Sequence, residues 1–181
     1  VAVPSLAVFY TWDDRDYRKK VSFADSVVMG GVMRPYTAFA NTQRPHIDKY
    51  FRYPGNAQQE YQVSDHNIIL FRYAEVLLTA AEALAEVSGP NAESVSYINQ
   101  VRARARNWAG TMVDFPADMD IAGMNKEQFI DAIMDERRLE LAFEAKRWYD
   151  IQRRRLGDIA FKGPNSLEPH ANFDASRDYL M

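Results

Sequence analysis

Glu136, Glu140 and Glu144 recur at every fourth position of the stretch DERRLELAFEAKRWYDIQRR (135–154), which sets three carboxylates on one side of a helix. Carboxylates in such a row can hold a metal, serve as an acid and base pair, or neutralise arginines. Helical di-metal sites add a Glu-x-x-His motif, and His46, His66 and His170 all fall outside the predicted helices. A glycosidase pair must flank the scissile bond, which one side of one helix does not do. No catalytic residue and no metal ligand is therefore nominated, and ion pairing is the expectation. On a helical wheel Arg137 and Glu144 point into the apolar stripe of Ile130, Ile133, Met134, Leu141, Trp148 and Ile151, with Glu140 and Arg147 at its edge. An orphaned charge there would cost several kcal/mol, so a ladder Arg137, Glu140, Glu144, Arg147 is predicted. Arg72, Glu75, Glu82 and Arg102 flank the stripes of other helices. The predicted structural ion network is Arg72, Glu82, Arg102, Arg137, Glu140, Glu144 and Arg147. Glu75, Glu82 and Glu86 lie close together and ask for a cation, for which Arg102, Arg104 and Arg106 are available.

The elements that must position these charges are three helices. The first spans about 70–88, with Tyr73, Val76, Leu77, Ala80, Ala81, Leu84 and Val87 on one stripe and Gly89-Pro90 as its stop. The second, about 92–107, starts at Asn91, a good N-cap, and carries Val95, Ile98, Val101 and Ala105 on its stripe. The short turn between them predicts an antiparallel hairpin, and the alanine-rich first helix permits close approach. A capping box of Asn125 and Gln128, with Met124 and Phe129 as a hydrophobic staple, starts a third helix expected to run from Lys126 to about Arg154. Residues 1–64 read as loops with short strands, and 156–181 as a loop-like tail.

Composition limits the function. The 181 residues are 47% hydrophobic and 26% charged, with a net charge of −3, and no overall positive field exists to hold nucleic acid. The run Arg153-Arg154-Arg155 reads as a solvated helix end complementing the dipole. Cysteine is absent, which excludes disulfides and thiolate sites within this stretch. No apolar run is long enough to cross a bilayer. There is no G-x-S-x-G, P-loop, HExxH, GxGxxG or EF-hand pattern, no cofactor is expected, and Gly30-Gly31 reads as a turn. The opening VAVPSLAVFYTW and the closing FDASRDYLM lead to the expectation of a fragment of a longer polypeptide.

Three segments in order, FRYAEVLLTAAEALAE, YINQVRARA and ERRLELAFEAKRWYDIQRR, resemble the C-terminal part of SusD/RagB-family proteins, closely over about 65–155. WDDRDYRKKVSF and HIDKYFRY resemble, more loosely, elements that precede those helices in the family. The resemblance implies a mainly α fold, with a tetratricopeptide-like hairpin, a long helix and an irregular loop-rich region with short strands. It also implies a non-enzymatic lipoprotein of the outer membrane and cell surface, anchored through an N-terminal cysteine outside this stretch. Such a protein captures oligosaccharides or other nutrients for a SusC-like TonB-dependent transporter. In this light the charged helix is the family's internal brace. Ala145 stands where the family usually has glycine, a change expected to be tolerated within a helix. Sugar contacts within the chain would fall to loop aromatics, Trp12, Tyr36, Tyr50 and Tyr53, although for each of them packing onto the helices is the favoured reading, since large aromatics are mostly buried. A tetratricopeptide-type adaptor that binds peptides is the alternative reading, and a carbohydrate-active enzyme a third.

Overall fold

The computed structural model describes residues 3–50, 57–58, 63–64, 67, 69–108, 110–163, 166–170 and 172–179. Tyr53 and His66 lie outside this set. In chain order the elements are α1 (Leu6–Thr11), α2 (Tyr17–Ser22), β1 (Phe23–Ala24), β2 (Ser26–Met29), β3 (Val32–Pro35), β4 (His46–Ile47), β5 (Ala57–Gln58) and β6 (Val63–Ser64). There follow α3 (Tyr73–Ser88), α4 (Ala92–Ala105), β7 (Asn107–Trp108), β8 (Thr111–Met112), α5 (Lys126–Glu140), α6 (Arg147–Arg154), α7 (Gly157–Phe161) and α8 (Ala175–Asp178). The fold is thus mainly α with loop-rich parts. Two compact units form. One, here the helical unit, comprises Arg15–Arg18 and Ile68–Arg147; the other, the loop-rich unit, comprises Val1–Asp14, Lys19–Asn67 and Trp148–Met181.

In the helical unit, α3 ends at Gly89, whose φ of 70° is a backbone state that glycine adopts without steric cost. Asn91 then opens α4 with a capping box, its side chain accepting from Ser94 N while Ser94 Oγ accepts from Asn91 N. With only this short link, α4 folds back on α3, and α5 packs against α3 on a second side. Leu77, Leu78, Ile98, Val101, Phe129, Ile133 and Leu141 are buried in the resulting core, each large side chain contributing about 1.5–3 kcal/mol of transfer free energy. The stripe expected on α3 is only half covered: Leu77 and Ala81 are buried, whereas Tyr73, Val76 and Val87 face solvent. The reason is that α3 is apolar on more than one side, and α4 and α5 cover the arc of Ala74, Leu77, Leu78, Ala81 and Ala85.

The link from α4 to α5 is held by arginines of α4. Arg102 Nη1 donates to Ala117 O (3.0 Å) and Arg106 Nη1 to Pro116 O (2.7 Å), while Arg106 Nη2 pairs with Asp118 (2.8 Å). Asn125 and Gln128 form the expected capping box at the start of α5.

The single helix expected from Lys126 to Arg154 is instead two. α5 stops at Glu140, the chain turns through residues 141–146 with positive φ at Phe143 (65°) and Ala145 (58°), and α6 begins at Arg147. ELAFEAKRW consists of adequate helix formers, so nothing local demands the break. Arg72 supplies the cause from another element: its guanidinium binds the Glu140 carbonyl, where a continuing helix would need that oxygen for its own ladder, and it also grips Glu144 in the turn. The position of Ala145 is therefore not helical, and the expectation that it is tolerated there as in a helix is corrected.

In the loop-rich unit, β1 pairs antiparallel with β4, and β2 with β3 across the two-residue turn Gly30-Gly31. Both glycines have positive φ (59° and 78°), the twist that a two-residue hairpin requires. Farther along, the rings of Phe161, Phe173 and Tyr179 form a chain with centroids 4.9 and 5.4 Å apart. Gly157 lies against it, since an added Cβ would run into the Phe173 ring.

A left-handed φ costs an L-residue about 1–2 kcal/mol and glycine almost nothing. Ala145→Gly is therefore expected to raise stability by about 1 kcal/mol and Ala145→Val to lower it, as read from denaturant midpoints.

Candidate functional site

Two places concentrate chemistry, one in each unit. The first is a cluster of charges at the centre of the helical unit. Asp16 folds back on the next but one residue, and its carboxylate takes Arg18 Nε (2.9 and 3.0 Å) and Nη2 (2.7 Å). So held, Arg18 Nη1 donates to Glu136 Oε1 (2.7 Å) and Glu140 Oε2 (3.1 Å). The other Glu136 oxygen accepts from Arg102 Nε (2.8 Å). The other Glu140 oxygen accepts from Arg72 Nη1 and Arg104 Nη2, both at 2.5 Å. Arg72 also grips both Glu144 oxygens with Nε (2.7 Å) and Nη2 (2.8 Å). Asp16, Arg18, Glu136 and Glu140 are all buried.

Four arginines thus meet four carboxylates, and every carboxylate oxygen of Glu136, Glu140 and Glu144 receives a guanidinium N–H. Glu136 and Glu140, one turn apart on α5, would repel each other if left alone; the arginines cancel that repulsion. Burial would push the Glu140 carboxyl up, but Arg104, Arg72 and Arg18 outweigh it and hold its pKa below the ordinary value. Burial alone would likewise lower the guanidinium of Arg18, yet Asp16 and Glu136 raise it. A carboxylate held ionised and saturated with donors is poorly suited to act as a general acid near neutral pH. Among the described residues, no group of three or more His, Cys, Asp or Glu is placed to hold a metal ion.

Of the network expected from sequence, Arg72, Arg102, Glu140 and Glu144 meet in this cluster. Arg137 is buried and donates to Thr79 Oγ1 (3.1 Å), Glu82 is buried in α3, and Arg147 opens α6 half-buried. Because α5 stops at Glu140, Glu144 and Arg147 do not extend its face, and the straight helical ladder gives way to pairing across elements. The cations at the acidic side of α3 also differ from expectation: Lys146 lies 3.1 Å from Glu75 and Lys126 2.6 Å from Glu86. Arg102, Arg104 and Arg106 serve Glu136, Glu140 and Asp118. Asp16 and Arg18 were missed; the alternating WDDRDYRKK carries their charge pattern but nothing that names a partner 118 residues away.

The second place is a cleft of about 650 Å³ in the loop-rich unit. Phe23 and Ile47 of the β1–β4 pair, Val27 and Met29 of β2, and Phe39 supply apolar wall; Lys20, Asp25 and Asp48 supply charge. His46 also lines it, its ring edge-on to Phe39 (5.0 Å) and its Nε2 3.0 Å from Thr42 Oγ1. The aromatic candidates fall out unequally around it. Trp12 is 4% exposed, edge-on to Phe23 at 5.5 Å, and is part of the unit's core with no ring face open to a sugar. Tyr36 is half-buried, its ring edge-on to Phe9 at 5.6 Å and its hydroxyl 2.6 Å from that of the exposed Tyr10, and this hydrogen bond raises its phenol pKa. Tyr50 is half-buried, and Tyr53 lies outside the described residues.

The helical unit, a hairpin of helices joined by a third helix and a saturated ion cluster, and the loop-rich unit with its apolar and charged cleft together define a mainly α protein with loop-rich parts. The chain belongs to the SusD family, whose model matches residues 7–177. It is 49% identical over 187 aligned positions to SusD-like protein P2 of Formosa agariphila, a match covering all of this chain and 36% of that protein. SusD-like protein P25 of the same organism is 33% identical, over 76% of this chain and 23% of its own length. A solved SusD homologue from Bacteroides thetaiotaomicron superposes with a TM-score of 0.62 at 27% identity, over 81% of this chain and 31% of that one. The chain thus matches between about a quarter and about a third of the length of these proteins. No helix among the described residues is long and apolar enough to cross a membrane.

Removing one partner of a buried pair costs about 3–5 kcal/mol, whereas exposed pairs contribute about 0–1 kcal/mol. The Glu140 side chain is fully buried and that of Arg104 is 58% exposed. Glu140→Ala is expected to lower stability by about 3–5 kcal/mol and Arg104→Ala by under about 1 kcal/mol. Since the Glu140 pKa is lowered by folding, its contribution is present above the unfolded-state pKa and lost as pH falls through the folded value. Stability followed against pH should therefore lose part of its acid limb in Glu140→Ala.

Proposed function

We propose that this chain is part of a cell-surface nutrient-binding protein of the outer membrane, one that captures oligosaccharides and passes them to a SusC-like TonB-dependent transporter. In this reading the protein is not an enzyme, its lipid anchor is carried by an N-terminal cysteine of the longer polypeptide, and the ion cluster braces the fold without touching ligand. Membership of the SusD family is the observation that carries the proposal. The cleft adds chemical support: ring edges and methyl groups of Phe39, Ile47 and Met29 suit the C–H face of a sugar, while Asp25, Asp48 and His46 can engage hydroxyls. Tyr36, with its partner Tyr10, is a second aromatic surface for the same class of ligand.

The test is calorimetric titration of the full-length protein against a panel of oligosaccharides. At least one is expected to bind, without being hydrolysed, and Phe39→Ala should weaken it about tenfold, ~1.4 kcal/mol. Glycan cleavage, or a folded protein that binds no member of a broad panel, would overturn the reading.

A further inference from the structure

The cleft of the loop-rich unit is walled unevenly. Of the phenylalanines that line it, Phe23 is buried edge-on to Trp12, so among the described residues Phe39 is the lining phenylalanine whose ring a ligand can reach. Most of the remaining apolar wall is aliphatic, and its exposed part belongs to the β2–β3 hairpin. Alternation along β2 sets Val27 and Met29 on one face, and both line the cleft. The register puts Val32 of β3 directly opposite Met29 on that same face. Val27, Met29 and Val32 are 41%, 56% and 56% exposed, a strip of aliphatic side chains open to a ligand. Arg34, opposite Val27, ends the strip at its base, and Val28 and Met33 stand on the other face of the hairpin. Ala24 and Ala40 also line the cleft, where their small side chains leave room for a substituent.

We propose that this cleft selects sugars that carry a methyl group, the C6 methyl of a 6-deoxy sugar or the acetyl methyl of an O-acetylated one, and that Val27 and Met29 make the selection. The inference rests on the oligosaccharide-binding reading and names the class of oligosaccharide. A flat aromatic ring matches the C–H face of any pyranose and is indifferent to its substituents. Valine and methionine offer no flat plate; their branched methyls and flexible thioether fit around a group of methyl size. A hydroxyl placed against them gives up its water and gains no partner, whereas a methyl there only leaves water. The strip therefore favours one sugar and disfavours its hydroxylated analogue at the same point, which is how a site becomes specific. Lys20, Asp25, Asp48 and His46 line the same cleft and supply the polar contacts that the remaining hydroxyls need. Its volume of about 650 Å³ is in the range of small-ligand sites.

Calorimetric titration of the full-length protein with matched pairs of oligosaccharides tests this. One pair sets a fucosylated oligosaccharide against its galactosylated counterpart, which differ by a methyl and a hydroxymethyl at C6. The other sets acetylated xylo-oligosaccharides against the same material deacetylated by alkali. In at least one pair the methyl-bearing member is expected to bind at least about tenfold tighter, the low end for one methyl-sized group in an apolar pocket, and the pair that responds identifies the source of the methyl. The double variant Val27→Thr, Met29→Gln keeps the shape of two exposed side chains while making them polar, with thermal melting as the check on folding. It is expected to weaken the methyl-bearing member to the level of its analogue and to leave the analogue's affinity unchanged. Equal binding within both pairs, or a preference that survives in the variant, would overturn the inference while leaving oligosaccharide binding intact. Binding of no member of either pair or of the broader panel would overturn both readings together.

Discussion

Glu140 stands on the last turn of α5 with both carboxylate oxygens and its own carbonyl bound by guanidinium groups from three other stretches of chain. Each contact answers a separate difficulty. The carboxylate is buried and would be costly without compensation; the carbonyl is one of the orphan acceptors at a helix end. Arg72 satisfies both, and because it immediately precedes α3 it fixes the start of one helix against the end of another. Arg18 brings the short stretch 15–18 to the same point, and Arg104 brings α4. The order of elements in the helical unit follows from what this carboxylate needs.

That constraint also explains why α5 ends. A continuing helix would take the Glu140 carbonyl into its own ladder and carry Glu144 along its axis. Turning at 141–146 frees the carbonyl for Arg72 and returns Glu144 to the same guanidinium, at the expense of left-handed backbone at Phe143 and Ala145. Two charge-assisted contacts to one arginine, each contributing roughly 1.5–3 kcal/mol, are of the size needed to offset a neutral backbone hydrogen bond of about 1 kcal/mol and two left-handed residues at about 1–2 kcal/mol each.

What was legible in the sequence was local. Gly89 as a stop, Asn91 and Asn125 as caps, and Gly30-Gly31 as a turn each state their conformation within a few residues, and the family resemblance rested on three such ordered segments. The hidden parts depend on distant partners. Nothing in ELAFEAKRW announces a break, because its cause is Arg72; nothing in WDDRDYRKK points to Glu136. Wheel geometry identified the apolar residues of α3 but could not say which side α4 and α5 would take, so Tyr73, Val76 and Val87 were expected in a core and lie outside it. In the loop-rich unit, where no periodicity exists, residue type alone put Trp12 beside Tyr36 as a ligand candidate; burial separates them.

The account rests on the pairing of Arg72 with Glu140 as a cooperative, desolvated interaction, and a double-mutant cycle measures it directly. Unfolding free energies of the wild type, Arg72→Met, Glu140→Gln and the double variant should yield a coupling energy of about 0.5–3 kcal/mol, the range of residues in one hydrogen-bonded ion network. Single variants whose costs simply add, with a coupling indistinguishable from zero, would contradict the claim that this ion pair organises the helical unit.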